Sequence, residues 1–193
     1  IKSIIIKEIS RGGQVYFVDN SVNNLKKTFK QCCLLFPFLN MGILYGSLGG
    51  RVLIKTMDSF VKGETQVLFS TTIIESGIDI GLTNTIIINN AHLFGLSQLY
   101  QLRGRVGRSA SQAFAWFLFP KNKKVSAVGL ARLKTIIKHS SLGAGYRVAL
   151  SDLELRGAGS LFGYNQSGGG GVGFEYYAKM LALAVKKRAG SKP

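Results

Sequence analysis

The chain has 193 residues, 25 of them Lys or Arg and 9 Asp or Glu, for a formal charge of +16, and 46% are hydrophobic. That apolar fraction suffices for a packed core at this length and argues against disorder. Charged residues are only 18%, against roughly 25% in an average chain, so the excess comes from missing acids and points to a polyanion, nucleic acid before an anionic membrane.

Val15 to Val18 is a short β-rich run after the turn residues Gly12-Gly13. Asn20 or Ser21 can cap a following helix whose apolar stripe uses Val22, Leu25 and Phe29. Ile43 to Tyr45 reads as a second strand, and Val52 to Phe60 as a helix ending at Lys62-Gly63. Further strands are predicted at Val67 to Phe69, Thr85 to Ile88 and Ala113 to Phe119, with a helix over Leu96 to Leu102. Trp116, inside the last of these strands, reads as a core residue. Short apolar strands alternating with helices predict a parallel α/β sheet.

Pro120 and the polar run Lys121 to Lys124 mark a boundary, and a helix from about Val125 to His139 follows. Gly143-Ala144-Gly145 breaks the chain again. Beyond Ala149 the composition turns to glycine, and a closing amphipathic helix runs from Phe174 to about Lys187. The plan is an α/β domain over 1–120, a linking helix and loop over 121–148, and a helical appendage over 149–193. No apolar run approaches about 18 residues, so a membrane-spanning helix is excluded; the longest, Cys32 to Leu39, is broken by Pro37. Cys32 and Cys33 are adjacent and lack partners at metal-ligand spacing, so they are expected to be reduced, buried and cytosolic. The start, Ile1-Lys2-Ser3, has no signal-peptide layout and no initiator Met, which leads us to expect a piece of a longer protein.

Chemistry concentrates in two segments. Gln101-Leu-Arg-Gly-Arg-Val-Gly-Arg108 crowds three arginines between glycines, at a cost in charge repulsion and helix propensity. A guanidinium fork suits a phosphate because it binds two oxygens and never deprotonates. Taken alone, the segment is either a phosphate site or an exposed basic turn. Thr71-Thr-Ile-Ile-Glu-Ser-Gly-Ile-Asp-Ile80 follows a strand at the edge where α/β sheets place ligands. Taken alone, it is a ligand contact or a helix cap. His92 and His139 have no partners at metal spacing.

In this order and spacing the two segments resemble motifs V and VI of the superfamily 2 helicases. Arg11-Gly-Gly-Gln-Val-Tyr16, Phe94-Gly-Leu-Ser-Gln-Leu-Tyr-Gln101 and Arg103-Gly-Arg-Val-Gly-Arg-Ser109 resemble the branch that holds RecG and the transcription-repair coupling factors. Asp152-Leu-Glu-Leu-Arg-Gly-Ala-Gly159, Gly163 and Gln166-Ser-Gly168 resemble the translocation motif of that branch. Ser109, Ala158, Val172 to Tyr177 and Met180-Leu181 favour the coupling factors. The sequence departs from the pattern at Tyr45-Gly46, where His-Gly is usual, at Gly49-Gly50-Arg51, at Tyr164-Asn165 and at Gly169 to Gly171.

The resemblance implies a second RecA-like domain, a parallel sheet flanked by helices, followed by a C-terminal helical hairpin. It implies a double-stranded DNA translocase that uses ATP with Mg2+ to push stalled RNA polymerase from damaged template and to recruit excision-repair proteins. The RecG-like alternative remodels stalled replication forks with the same motor chemistry. Arg105 and Arg108 would face the ATP γ-phosphate as arginine fingers, with Gln101 beside them. Gly77 and Asp79 would line the ribose side, Thr71 would contact a DNA phosphate, and Arg156 and Gln166 would couple nucleotide to DNA movement. No Gly-Lys dipeptide and no Asp-Glu pair occur, so the P-loop and the magnesium ligands are expected in a preceding RecA-like domain. This chain alone is then expected not to hydrolyse ATP, to act in the cytoplasm of a bacterial-type or plastid system, and to have no membrane partner.

Overall fold

Continuous apolar runs in this chain become strands covered on both faces, as the alternating pattern requires. The computed structural model describes residues 1–72, 83–107, 112–121, 125–139 and 144–156, the side chains of 150 and 153–156 excepted. Strands β1 (Gln14–Val18), β2 (Met41–Leu44), β3 (Val67–Ser70), β4 (Thr83–Ile88) and β5 (Phe114–Phe117) form one sheet in the order β2-β3-β1-β4-β5. Every neighbouring pair is parallel; Val15 lies beside Val67 on one side and Thr85 on the other. Parallel neighbours need long crossovers, supplied here by helices α2 (Val22–Leu35), α3 (Gly50–Val61) and α4 (Leu96–Arg103). Helices α1 (Lys2–Ser10), α5 (Ala127–Lys138) and α6 (Gly145–Arg156) complete the described elements, with a 3-10 turn at Ala91–Leu93. The predicted RecA-like parallel sheet with flanking helices is therefore present.

Alternate side chains of each strand point to opposite faces, and this divides the core in two. Val15, Phe17, Val67, Phe69 and Ile87 pack with Ile5 of α1 and with Leu25, Cys32 and Phe36 at α2. Tyr16, Val18, Leu68, Ile86 and Ile88 pack on the other face with Phe60 of α3 and with Leu96, Leu99 and Leu102 of α4. Leu133 and Ile136 of α5 and Val148 of α6 join this second cluster. A fully buried Val, Leu, Ile or Phe contributes about 1.5–3 kcal/mol, so Leu133, Ile136 and Val148 hold the helices after Pro120 against α4 and the turn at Ala91–Leu93.

The ends of the elements follow from local chemistry. Ser21 caps α2 by accepting from the Asn24 amide, and Ser126 caps α5 by accepting from the Gly129 amide. Helix α1 was not anticipated: no side chain caps its start, so its only signal is the Ile4, Ile5, Ile9 stripe. Helix α6 begins at Gly145, the last residue of the segment read as a break. Trp116 is 41% exposed rather than core, because β5 is an edge strand whose burial is partial along its length. Cys32 is buried but Cys33 only partly so, and both are free thiols.

Candidate functional site

The carboxyl edge of a parallel sheet is where strand ends and helix starts leave unpaired polar groups, and so where α/β folds bind ligands. Here β1 is followed by Asp19, which is fully buried, and its carboxylate organises the edge. Oδ1 accepts from the Ser21 amide at 2.8 Å, and Oδ2 accepts from the side-chain amides of Asn89 at 2.6 Å and Asn90 at 3.3 Å. Asn90 takes a left-handed backbone, φ 51°, which Asn tolerates better than most residues. Asp19 thus joins the cap of α2 to the turn after β4. The sequence carried a faint sign of this, an acid directly after a strand and before a capping Asn-Ser.

Thr71 follows β3 at the same edge and is 8% exposed. Its amide donates to the Leu44 carbonyl, and its own carbonyl accepts from the Ser70 hydroxyl at 2.7 Å. At the neighbouring strand end stands Tyr45, the departure noted above, with the Lys26 ammonium 4.4 Å from its ring centroid. That cation–π contact places a positive charge beside this strand end. Gly77 and Asp79 lie outside the described residues.

The arginine segment begins on α4, whose Leu96, Leu99 and Leu102 are buried while Gln101 is exposed. Arg103 is the last residue of that helix, and its Nη1 donates to the carbonyls of Ile136 at 3.2 Å and His139 at 2.7 Å. Those carbonyls close α5, where the chain has unpaired acceptors and a negative dipole end. The Arg103 guanidinium also lies 4.9 Å from the Tyr100 ring centroid. Arg103 is therefore engaged in holding α5 to α4. Arg105 follows the helix end on a turn, its amide donating to the Leu102 carbonyl, and is partly exposed. Val106 packs against the core cluster. Gly107 has φ 85°, and a Cβ there would come within 2.9 Å of the Ala113 Cβ. Arg108 and Gln166 lie outside the described residues; Arg156 ends α6, and its side chain is not described.

A profile of the helicase conserved C-terminal domain matches residues 1–110. The chain belongs to that helicase family. This helicase domain is 45% identical over its whole length to a transcription-repair-coupling factor of Myxococcus xanthus, of which it spans 16%. It is 44% identical to the transcription-repair-coupling factor of Borreliella burgdorferi, over 98% of this chain and 17% of that protein. Among solved structures it resembles RecG bound to a three-way DNA junction, with a TM-score of 0.71 and 30% identity over 94% of this chain and 23% of that one. The likeness to the coupling factors expected from the motifs thus covers the whole chain, which is about a sixth of their length. Among the described residues no group of three or more His, Cys, Asp or Glu could hold a metal, and no helix is long and apolar enough to cross a membrane.

Proposed function

We propose that this domain is the second RecA-like half of an ATP-dependent motor that translocates on double-stranded DNA, displaces stalled RNA polymerase and recruits excision repair. The observation that carries the reading is the layout of motif VI. One arginine, Arg103, is committed to the α5 carbonyls, and the segment then turns at the helix end with Arg105 partly exposed. The full-length likeness to coupling factors supports the choice of motor.

In this reading ATP and Mg2+ bind on a preceding RecA-like domain, which supplies the P-loop and the acidic magnesium ligands. The residues here suit the phosphate end of that nucleotide, since guanidiniums are permanent forked donors. Phosphoryl transfer spreads negative charge over the equatorial oxygens, and Arg105 and Arg108 offset it. Gln101 positions the reacting groups beside them, and Gly77 and Asp79 line the ribose side. Thr71 contacts a DNA phosphate from the carboxyl edge of the sheet. Arg156 and Gln166 transmit the change in nucleotide state to the DNA backbone, as a two-state element must. A RecG-like fork-remodelling enzyme is the second reading, favoured by the structural likeness to RecG on a DNA junction; the higher identity to coupling factors ranks it lower.

The test is Arg108→Ala and Arg105→Ala in the complete protein. ATP affinity should persist while turnover falls roughly 10³-fold or more, the usual worth of an arginine finger. Unchanged ATPase would leave a basic nucleic-acid-binding module and sink the motor reading. The isolated domain should show no DNA-stimulated ATPase above background.

A further inference from the structure

The Arg11-Gly12-Gly13 segment has no role in the chemistry above, yet it closes an ion pair built into the opposite end of the sheet. Glu8 of α1 is 2% exposed. Its Oε2 accepts from Arg11 Nε at 2.9 Å, lies 2.7 Å from Arg11 Nη2, and accepts from the Thr85 hydroxyl of β4 at 2.6 Å. Oε1 has no hydrogen-bond partner among the described residues. Burying a carboxylate with one oxygen unpaired is unfavourable unless its partner is held firmly. The glycines make the pair feasible. Gly12 has φ 79°, and a Cβ at Gly13 would overlap Glu8 Oε1.

What the pair holds is the return of motif VI. Arg11 Nη2 also donates to the Gln112 carbonyl at 2.6 Å, a contact across 101 residues, and the guanidinium lies 4.9 Å from the ring centroid of Phe114, the first residue of β5. Phe114 pairs in register with Thr85, so carboxylate, guanidinium and the two strands meet at one place. The outgoing end of motif VI is fixed as well: Arg103 on α5, Val106 against the core cluster, and Gly107 against Ala113. Entry and return are therefore both fastened, the return by the pairing of β5 with β4 and, just ahead of that strand, by Arg11 at Gln112.

We infer that Arg11, held by Glu8, is a positioning residue for the arginine fingers: it braces the residue just before the chain re-enters the sheet, and so the turn that carries Arg105. This rests on the motor reading above. Arginine is required because its planar fork reaches carboxylate and carbonyl together, which a lysine ammonium cannot do with the same geometry.

The experiment uses the complete protein with Arg11→Lys, which keeps the charge beside Glu8, and with the double variant Glu8→Gln/Arg11→Gln, which leaves no buried charge unpaired. For both we expect a thermal midpoint near wild type, KM for ATP within about twofold, and turnover lowered about 10- to 100-fold, the cost of a small misplacement. Affinity for ADP with a metal fluoride, which mimics the transferring phosphoryl group, should fall in step with turnover. Affinity for a non-hydrolysable ATP analogue should not. Wild-type turnover in a folded variant, equal loss of both affinities, or unfolding of both variants would overturn the inference and leave a purely structural pair. Arg108→Ala run alongside separates the two levels: normal turnover there would fault the motor reading itself.

Discussion

Arg103 and Arg105 of motif VI are alike in sequence and unlike in surroundings. Arg103 donates to two carbonyls at the end of α5, so its loss should appear as stability. Arg103→Ala is expected to cost about 1.5–3 kcal/mol, the range for hydrogen bonds to a charged group, measured by urea unfolding of the domain. Gly13 is constrained by contact rather than by conformation. Because a Cβ there would overlap the Glu8 carboxylate, Gly13→Ala should destabilise by about 1–3 kcal/mol, whereas a neutral result would mean that Glu8 can move aside. At Cys32 the thiol pKa is raised, first by burial and then by Cys33 beside it; burial also raises that of Cys33. A raised folded-state pKa keeps the proton on the folded protein while the unfolded thiol ionises. Stability should thus be intact below about pH 8.5 and fall as pH rises past that value. Cys32→Ala should flatten that part of the pH profile in urea titrations, and an unchanged slope would assign it to other groups.

Among the elements, those with both a cap and a stripe were legible from sequence. Ser21 and the Leu25 and Phe29 stripe foretold α2, and the all-apolar runs at Val15 and Ile86 foretold buried strands. Helix α1 was missed because it left only the short Ile4, Ile5, Ile9 stripe to read, and α6 because glycine at its first turn reads as a break. The Trp116 expectation failed for a different reason: apolar alternation does not reveal which strand lies at a sheet edge. Helix α5 depends on two small features at its start. The Ser126 hydroxyl caps it, and Gly129 lies so close to His92 that a Cβ would be 3.1 Å from the His92 carbonyl oxygen. Ser126→Ala should cost about 1 kcal/mol. Gly129→Val should cost more, by lifting α5 from the turn after β4; calorimetry of the two variants would rank them.

At the scale of the molecule the charge has a distribution as well as a sum. No acid lies between Asp79 and Asp152, against ten Lys or Arg in that stretch. If part of this charge tracks duplex backbone, the logarithm of the DNA binding constant should fall linearly with log salt, with a slope of about −0.9 per phosphate neutralised. A filter or fluorescence titration of the complete protein between low and moderate salt would read the slope; a slope near zero would remove DNA from that surface.

By itself the sequence determined the parallel α/β class, the strand positions, the helicase motifs and the excess of positive charge. Each of these is written in periodicity, local spacing or composition, which survive without knowledge of the fold. Only the tertiary structure decided the strand order, the exposure of Trp116, the commitment of Arg103 to α5 and the link from Glu8 through Arg11 to Gln112. Those depend on groups up to 101 residues apart. Whether an arginine serves a helix end, a carboxylate or a phosphate is set by what the packed sheet brings beside it.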